Sequence, residues 1–565
     1  MPVETSSTEL DAAWPLPDHP NMPGRPHHAD DWLLDARERG NSATRLDARH
    51  PDGAAWSTGN RARPLVDGAS YFAELHERLE ATRAGDLVLF TDWQGNPDQQ
   101  LTDDPDSTIV EVLGRALGRG VDVRALVWRS HTGLLGYSAD EHRDLGKQLQ
   151  RRGADVVLDM RVRPNGSHHQ KLVVLRHRDD PARDVAYVGG LDLCHGRRDD
   201  SSHGGDPQGE PISAEYGERP PWHDVQVALE GPVVHDVETV FRERWEDTTP
   251  PTRSPLRRRR DAAVRLDEQR RPLPPQAPPP PPLEEDHTVQ LLRTYPSLGA
   301  GWSYDFAPGG ERSVARGYSK AVGAARSLIY LEDQFLWGRE MSDVLVGALR
   351  ANPDLRLVCV LPHFPDQDGW FARDPQIVGR LRAIRRLQLE FSERVAFYGL
   401  ENEAGTPVYV HAKVCVIDDV WASVGSDNFC RRSWTHDSEL SAVVLDEDPE
   451  GGYGQWLRLR LAAEHLDRME PDELAAVTAT HEPKLFDVMA DCVDLGAQFE
   501  LFAQSADALD AWHAGGRRGA RPAGRLRRLP TPTLPVARQL LAAPWYRYLH
   551  DPDGRPRRMR RRRTF

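Results

Sequence analysis

The hydrophobic pattern alternates between helical spacing and short β-forming runs from about residue 64 to residue 470. Tyr71, Phe72, Leu75 and Leu79 fall on one helical face, and the apolar run 87–90 follows. Strands alternating with helices predict an α/β layer architecture. The predicted order is helix 71–79, strand 87–90, helix 109–117, strand 121–127, helix 141–151, strand 155–158, strands 172–175 and 185–188, strand 225–229 and helix 234–245.

The same order of elements returns in the second part of the chain. Three strand-borne matches have nearly constant offsets: 332 − 92 = 240, 411 − 169 = 242 and 425 − 189 = 236. Such internal similarity predicts a tandem duplication. The predicted order is helix 313–325, strand 328–331, helix 341–351, strand 355–361, helix 375–391, strand 395–398 and then strands 408–417 and 421–424.

These patterns divide the chain into five segments. The proline run 272–282 cannot form a packed core and predicts an extended linker between the two repeats. The predicted segments are a loosely ordered N-terminal extension (1–59), a first repeat (60–248), a Pro/Arg-rich linker (249–287), a second repeat (288–470) and a C-terminal helical region with a basic tail (471–565).

The most informative stretch, 408–428, carries His411 and Lys413 between apolar strand residues. Side chains alternate along a strand, so these two point to the same face. An isolated pair of this kind is usually a sheet-edge feature, but an imidazole beside an ammonium also suits a phosphate. Recurrence of the pair as His169 and Lys171 favours a phosphate site.

The complete pattern H-x-K-x-x-x-x-D followed by G-S-x-N resembles the signature of the phospholipase D superfamily. The first copy departs from it, since Arg176 stands where the Asp is expected and Gly190 and Asp192 replace the Ser and Asn. Segments 189–197, 221–232 and 329–335 are similar to the phospholipid-cleaving branch. The resemblance covers residues 60–470, and the second copy supplies all its residues: His411, Lys413, Asp418, Gly425, Ser426 and Asn428.

Cleaving a phosphodiester needs a nucleophile on one side of phosphorus and an acid on the other. One imidazole cannot occupy both sides, so we expect the two mixed β-sheets, flanked by helices, to pack with pseudo-twofold symmetry and the active site at their interface. Lys171 and Lys413, with Ser426 and Asn428, would hold the phosphate oxygens. The resemblance implies that His169 is the nucleophile, forming a phosphohistidine, and that His411 is the acid and base.

Each histidine also needs a partner on its other ring nitrogen. Asp224 and Glu439 open matching strands, 55 residues after His169 and 28 after His411, and are the candidates. Asp418 has Arg176 as its counterpart, which makes the motif Asp a structural residue or the first half a weakened copy. Asp179 or Asp180 is a possible substitute.

Net charge, hydropathy and cysteine content weigh against some classes of function. The chain has 565 residues and a formal net charge of −15, which weighs against nonspecific nucleic-acid binding. No apolar run reaches the roughly 18 residues of a membrane span, and five cysteines without a C-x-x-C pair suggest buried thiols in a reducing cytoplasm. We expect a monomer without metal or cofactor, because lysines and imidazoles supply the positive charge.

The leading hypothesis is hydrolysis of a glycerophospholipid, such as phosphatidylcholine, to phosphatidic acid and head-group alcohol, with transphosphatidylation as an added outcome. Cardiolipin synthase-like transfer, nuclease activity and non-catalytic binding of a phosphate lipid are the alternatives. The partner would be phospholipid at a membrane surface. Aromatic residues in loop 362–371 suit peripheral contact at the inner membrane face, and an ordinary packed loop explains them equally. The basic tail is typical of a solvated segment, with contact to an anionic membrane surface as the alternative.

Overall fold

The computed structural model describes residues 28–131, 139–252, 255, 259, 271–285, 287–299, 301–446, 452–477 and 482–565. Residues 1–27 of the predicted extension and most of 253–270 in the predicted linker lie outside this part of the chain. The predicted helix–strand alternation is observed, and the fold is mixed α/β. Among the described residues, no helix is long and apolar enough to cross a membrane.

The strands occur in two sheets and in short pairings between them. Their bounds are β1 Ser57–Val66, β2 Leu87–Asp92, β3 Asp122–Trp128, β4 Asp155–Asp159, β5 Leu172–Arg176, β6 Val185–Gly189, β7 Trp222–His223, β8 Val225–Glu230, β9 His287–Tyr295, β10 Glu311–Arg312, β11 Leu328–Asp333, β12 Arg356–Val360, β13 Val395–Glu401, β14 Pro407–Val410, β15 Lys413–Ile417, β16 Trp421–Gly425, β17 Glu439–Leu445 and β18 Leu526–Arg528.

Helices cover the sheets, and a π-helical turn, Tyr546–His550, continues helix α15. The helix bounds are α1 Ala29–Trp32, α2 Ala36–Arg39, α3 Gly68–Glu80, α4 Ile109–Gly118, α5 Ala139–Arg151, α6 Val233–Glu246, α7 Ser313–Ala324, α8 Arg339–Ala351, α9 Trp370–Phe391, α10 Arg431–Thr435, α11 Tyr453–His465, α12 Pro471–Ala476, α13 Pro483–Val488, α14 Leu495–Ala514, α15 Val536–Trp545 and α16 Arg557–Arg562.

The second sheet repeats the strand order of the first. The first sheet runs β1-β8-β6-β5-β2-β3-β4, antiparallel except for the parallel pairs β2–β3 and β3–β4. The second runs β9-β17-β16-β15-β11-β12-β13, again parallel only at β11–β12 and β12–β13. This is the order that a tandem duplication predicts.

One apolar core joins the two sheets and fixes their relative position. Val174 and Val227 of the first sheet belong to the same buried cluster as Val414 and Val424 of the second. The sheets also meet at β1, which pairs with β9 through Ser57. Strands buried on both faces explain why the motif segments read as nearly continuous apolar runs.

The N-terminal extension was expected to be loosely ordered, and this is wrong for residues 28–59. Trp32 and Leu33 are buried in the core of the second half, although they precede the first half in sequence. Arg39 is fully buried and contacts Glu311 at 3.1 Å. A buried guanidinium needs such a partner, and the short helices α1 and α2 gave no sustained periodicity to reveal the packing.

The C-terminal tail was also expected to be solvated, and the structure corrects this. Phe565 is buried against Trp434, with ring centroids 5.6 Å apart, and Arg555 is buried beside Glu340 at 2.6 Å. The arginines of α16 remain mostly exposed. An apolar end residue and one paired arginine therefore anchor a segment whose composition alone is typical of disorder.

Candidate active site

Each H-x-K segment pairs with a segment from the other half of the chain. His169 N donates to Ser438 O at 2.9 Å, and His411 N donates to His223 O at 2.8 Å. In addition, β14 runs parallel to β7, which ends at His223. The residue after each acceptor carries a carboxylate, so these backbone bonds bring two carboxylates next to two imidazoles.

The two histidine–carboxylate pairs cross between the halves. His169 Nδ1 lies 2.8 Å from Glu439 Oε2, and His411 Nδ1 lies 2.6 Å from Asp224 Oδ2. All four candidates named from the sequence are thus brought together. Each carboxylate contacts the histidine of the other half instead of the one that precedes it in its own half.

Ser426 and Gly190 occupy matching positions and support the two carboxylates differently. Ser426 Oγ donates to Glu439 Oε2 at 2.6 Å and accepts the N–H of Leu440 at 3.0 Å. A Cβ on Gly190 would lie 2.0 Å from Asp224 Oδ1. The glycine in the first copy therefore makes room for Asp224, while the serine in the second orients Glu439.

Both lysines are buried beside the histidines. Lys171 Nζ donates to His169 O at 3.0 Å and lies 3.5 Å from Asp192 Oδ2, and Lys413 Nζ donates to His411 O. Asp192 in turn accepts the N–H of Trp93 at 3.0 Å. The Asp that replaces the motif Asn in the first copy thus faces a lysine and fixes a neighbouring loop.

Burial and positive charge hold both imidazoles neutral. The pKa of His169 lies well below its usual value because of burial, Lys171 and Lys413. The pKa of His411 is lowered by burial, then by Lys413, Arg197 and Lys171. Each histidine feels both lysines, so the four groups converge on one place. The site is a cationic recess with two neutral bases, as an anionic phosphodiester requires.

Two further pKa values are shifted into the physiological range. Burial lowers the pKa of Lys413 to about 8. Burial, reinforced by the charge of Asp437, raises the pKa of Glu439 to about 8, whereas the Ser426 hydroxyl opposes that rise. Asp224 also has a raised pKa, again mainly because of burial. A buried ammonium and a buried carboxyl therefore both titrate near pH 8.

Three residues that sequence reasoning did not name as site residues line the recess. Trp222 lies with its ring centroid 4.8 Å from that of His411, and the Arg197 guanidinium carbon lies 3.9 Å from the centroid of the Trp222 ring. Trp93 makes an edge contact with His169 at 5.8 Å. The signal for Trp222 was its position two residues before Asp224, in the segment that opens the strand 225–229.

Asn428 is buried at the turn after β16. Asp333 holds this turn by accepting the N–H of Phe429 at 2.7 Å and of Leu336 at 2.9 Å. Among the described residues, Asn428 Oδ1 has no hydrogen-bond partner. The amide is thus positioned by its backbone and keeps polar capacity for a ligand.

Asp418 lies outside the recess. Its carboxylate accepts three backbone N–H groups at the start of β11: Arg326 at 2.6 Å, Ser327 at 2.8 Å and Leu328 at 2.8 Å. In the first half, Asp86 at the start of β2 accepts the N–H of Arg178 at 2.9 Å. A carboxylate thus joins the corresponding strands in both halves. In the second half it belongs to the residue after β15, whereas in the first half it belongs to the residue before β2. Neither Asp179 nor Asp180 makes this bond.

Two family models match the chain. The family model "Phospholipase D" matches residues 81–343, and the model "Cardiolipin synthase, PLD-like domain" matches residues 321–456. The two matches together span both H-x-K segments and both carboxylates. The chain belongs to the phospholipase D superfamily.

Plant phospholipases D are among the curated proteins that are similar to this chain. The chain is 26% identical to phospholipase D alpha 1 of Vigna unguiculata over 541 residues, covering 71% of this chain and 65% of that protein. It is 24% identical to phospholipase D alpha 1 of Arabidopsis thaliana, covering 72% and 65%. The chain therefore spans about 65% of the length of these relatives.

Among solved structures, phosphatidylserine synthase of Haemophilus influenzae is similar with a TM-score of 0.49 and 12% identity, covering 77% of this chain and 95% of that one.

Proposed function

We propose that the protein is a phospholipase D-type phosphodiesterase that cleaves a glycerophospholipid to phosphatidic acid and a free head-group alcohol. The observation that carries this proposal is the pair of crossed dyads, His169–Glu439 at 2.8 Å and His411–Asp224 at 2.6 Å, with both lysines beside them. Plant relatives with this activity in their names support the substrate class.

In the first step, His169 Nε2 attacks phosphorus while its Nδ1–H donates to Glu439. The bond from phosphorus to the head-group oxygen breaks, and that oxygen takes a proton from His411. The phosphodiester anion between the lysines offsets the positive charge that depresses the pKa of His411, so substrate binding raises this pKa and lets His411 carry the proton. The product of the step is a phosphatidyl-histidine and a free alcohol.

In the second step, neutral His411 takes a proton from water, and the resulting oxygen nucleophile displaces His169 from phosphorus. Phosphatidic acid leaves, and the proton now on His411 serves the next cycle. An alcohol in place of water gives a new phosphatidyl ester, which is transphosphatidylation. Lys171, Lys413 and Asn428 stabilise the charge on the non-bridging oxygens in both steps.

A second candidate is phosphatidyl transfer between phospholipids. The match of residues 321–456 to the cardiolipin synthase family model favours it. The chemistry is the same up to the phosphatidyl-histidine, and only the acceptor differs: a glycerol hydroxyl of a second phospholipid would replace water.

An exposed apolar surface on the second half supports action at a membrane. Phe371, the second residue of helix α9, stacks on Trp370, and its ring centroid lies 5.5 Å from that of Trp545 on α15. Leu540 and Leu541 extend this surface and are 71% and 65% exposed. We call these five residues the aromatic patch. Aromatic and aliphatic side chains of this kind suit the interfacial layer of a bilayer.

The loop that leads into α9 contacts the elements next to the active site. Loop residue Phe364 receives the hydroxyl of Tyr216 on its carbonyl at 2.7 Å, and the Tyr216 ring lies 5.3 Å from that of Tyr409. Tyr409 lies on β14, which ends at Val410, directly before His411. The loop before α9 therefore reaches the strand that precedes the proposed acid, His411.

The proposal is tested by offering phosphatidylcholine vesicles and ethanol to the purified chain and to its His169→Ala and His411→Ala variants. His513→Gln, which removes an imidazole contacting Glu401 far from the dyads, is the matched control. We expect phosphatidylethanol and choline from wild type and control only. A chain that releases no head group from any of a panel of phospholipids, or an active His169→Ala variant, would overturn the proposal. Cardiolipin formed from phosphatidylglycerol in preference to hydrolysis would favour the second candidate.

A further inference from the structure

A second cluster of ionisable side chains is buried behind the crossed dyads. His223 Nδ1 lies 3.1 Å from Asp67 Oδ1 and 3.2 Å from Glu464 Oε1. His203 Nε2 lies 3.0 Å from the same Glu464 oxygen. The four side chains are fully buried, and one ligand atom from each lies within 4.8 Å of all the others.

A second layer of carboxylates surrounds the two imidazoles. His223 Nε2 lies 2.8 Å from Glu332 Oε2, and the other oxygen of Glu332 lies 2.7 Å from His465 Nε2. His203 Nδ1 faces Asp199 Oδ2 at 3.8 Å. Histidines that bind metals characteristically direct their second nitrogen to a carboxylate, which fixes the tautomer and strengthens the ligand.

We propose that Asp67, His203, His223 and Glu464 form a binding site for one divalent transition-metal ion of the zinc class. Two imidazoles and two carboxylates are a ligand set that Zn²⁺ accepts. Bonds of about 2.0–2.1 Å to four tetrahedral ligands separate the ligand atoms by roughly 3.3 Å. The contacts of 3.0–3.2 Å around His223 and His203 are close to that spacing.

A metal ion satisfies these groups better than protons do. The Nδ1 atom of His223 carries at most one proton, yet it faces oxygens of both Asp67 and Glu464, while its Nε2 faces Glu332. Asp67 Oδ2 is buried without a hydrogen-bond partner among the described residues. An ion between the four ligands replaces the shared proton with four bonds. It also offsets the charge of Asp67, whereas the other oxygen of Glu464 contacts Arg460 Nη1 at 2.9 Å.

The site would clamp the two halves at the place where they share the dyads. Asp67 precedes α3 in the first half, and Glu464 lies near the end of α11 in the second. The Asp67 N–H donates to Asp224 O at 2.9 Å, and the carbonyl of the adjacent ligand, His223, accepts the N–H of His411. Asp67 also has a φ of 66°, a left-handed conformation that a fixed ligand position would stabilise. The metal would therefore position Asp224 and His411 without touching the phosphate.

The experiment measures the metal content of the full chain after incubation with zinc and removal of free ion, alongside the visible spectrum after cobalt substitution. We expect about one metal ion per chain, and cobalt absorption bands of tetrahedral intensity. His203→Gln and Glu464→Gln should lose the ion, whereas the control His513→Gln should keep it. Thermal unfolding of wild type should shift to lower temperature on treatment with a strong chelator and return with zinc.

The cobalt spectrum of wild type decides the proposal even where a variant does not fold. Three results together would overturn the proposed metal site: no stoichiometric metal, no cobalt bands, and the same unfolding temperature with chelator and with zinc. The cluster would then be a network of hydrogen bonds that share protons. The result is separable from the proposed function, because His169→Ala should bind the ion without having phosphodiesterase activity. A metal-bound wild type that is inactive on every phospholipid would remove the proposed function alone.

Discussion

His169 and Glu439 lie 270 residues apart, in different halves of the chain, and their side chains meet at 2.8 Å between Nδ1 and Oε2. The contact depends on a short backbone pairing between residues 167–169 and residue 438, which joins the first H-x-K segment to the second sheet. Neither half of the chain therefore contains a complete dyad. Separating the halves would disrupt both histidines at once.

The crossed arrangement makes a specific prediction about leaving groups. A phosphatidyl ester of p-nitrophenol needs no proton on its departing oxygen, so the first step no longer requires His411. His411→Ala and Asp224→Asn should both release a burst of nitrophenolate on this substrate, while losing about 10²- to 10⁴-fold on phosphatidylcholine. His169→Ala and Glu439→Gln should give no burst. If Glu439→Gln behaved like His411→Ala, the carboxylates would act within their own halves.

Gly190 should not tolerate a side chain. Gly190→Ser restores the motif serine, but the new Cβ lies 2.0 Å from Asp224 Oδ1 and would displace that carboxylate from His411. We expect kcat on phosphatidylcholine to fall by at least about 10²-fold, the lower end for loss of acid–base support. The matched control is Gly347→Ser on α8, where no atom lies within 4 Å of the added Cβ. Equal activity of the two variants would contradict the assigned role of Gly190.

Asp418 should contribute to stability and not to chemistry. Asp418→Ala leaves three backbone N–H groups at the start of β11 without their acceptor. The free energy of unfolding, measured by urea denaturation, should fall by about 1–3 kcal/mol. The kcat of the folded variant should stay close to wild type. Asp354→Ala, an exposed carboxylate nearby, serves as control, and a large loss of kcat at unchanged stability would contradict this prediction.

The lowered pKa of Lys413 predicts a loss of activity at alkaline pH, the alkaline limb of the pH–rate profile. Its pKa is lowered to about 8 by burial, so the ammonium loses its proton as pH rises through 8 in the free enzyme. We therefore expect kcat/KM to fall above about pH 8, and kcat to fall at higher pH because bound phosphate stabilises the ammonium. Lys413→Arg stays charged and should lack this limb, at reduced activity. An unchanged alkaline limb in that variant would assign it to another group.

The aromatic patch predicts weaker membrane binding after charge insertion. Leu540→Glu/Leu541→Glu places two negative charges on the exposed face of α15 and should reduce sedimentation with phosphatidylcholine vesicles several-fold. Turnover of a soluble short-chain phospholipid below its critical micelle concentration should be unchanged. Val493→Glu, an apolar residue 38% exposed elsewhere on the surface, is the control. Equal vesicle binding by all three proteins would place the membrane contact elsewhere.

Local patterns predicted most of the regular elements. The helix predicted over 109–117 is Ile109–Gly118, and the strand predicted over 225–229 is Val225–Glu230. The predicted start of the helix at 375 is wrong: α9 begins at Trp370, so Trp370 and Phe371 belong to its first turn and not to a loop. Pro375 is the sixth residue of α9 and lies inside the helix, where a proline lacks the N–H that a helical hydrogen bond needs. Strand β9 was missed, since its β-forming residues directly follow the proline-rich linker.

The sequence by itself determined the chemistry that the site offers, because H-x-K places an imidazole and an ammonium two residues apart and the near-constant offset repeats them. The predicted single strand over 408–417 is two strands, β14 and β15, and His411 lies between them. It also determined which carboxylates, Asp224 and Glu439, open the matching strands. Only the tertiary structure decided that these carboxylates serve the opposite histidines, and that Asp67, His203, His223 and Glu464 share one buried place. Those contacts join residues up to 397 positions apart, and no local periodicity encodes a contact between two packed sheets.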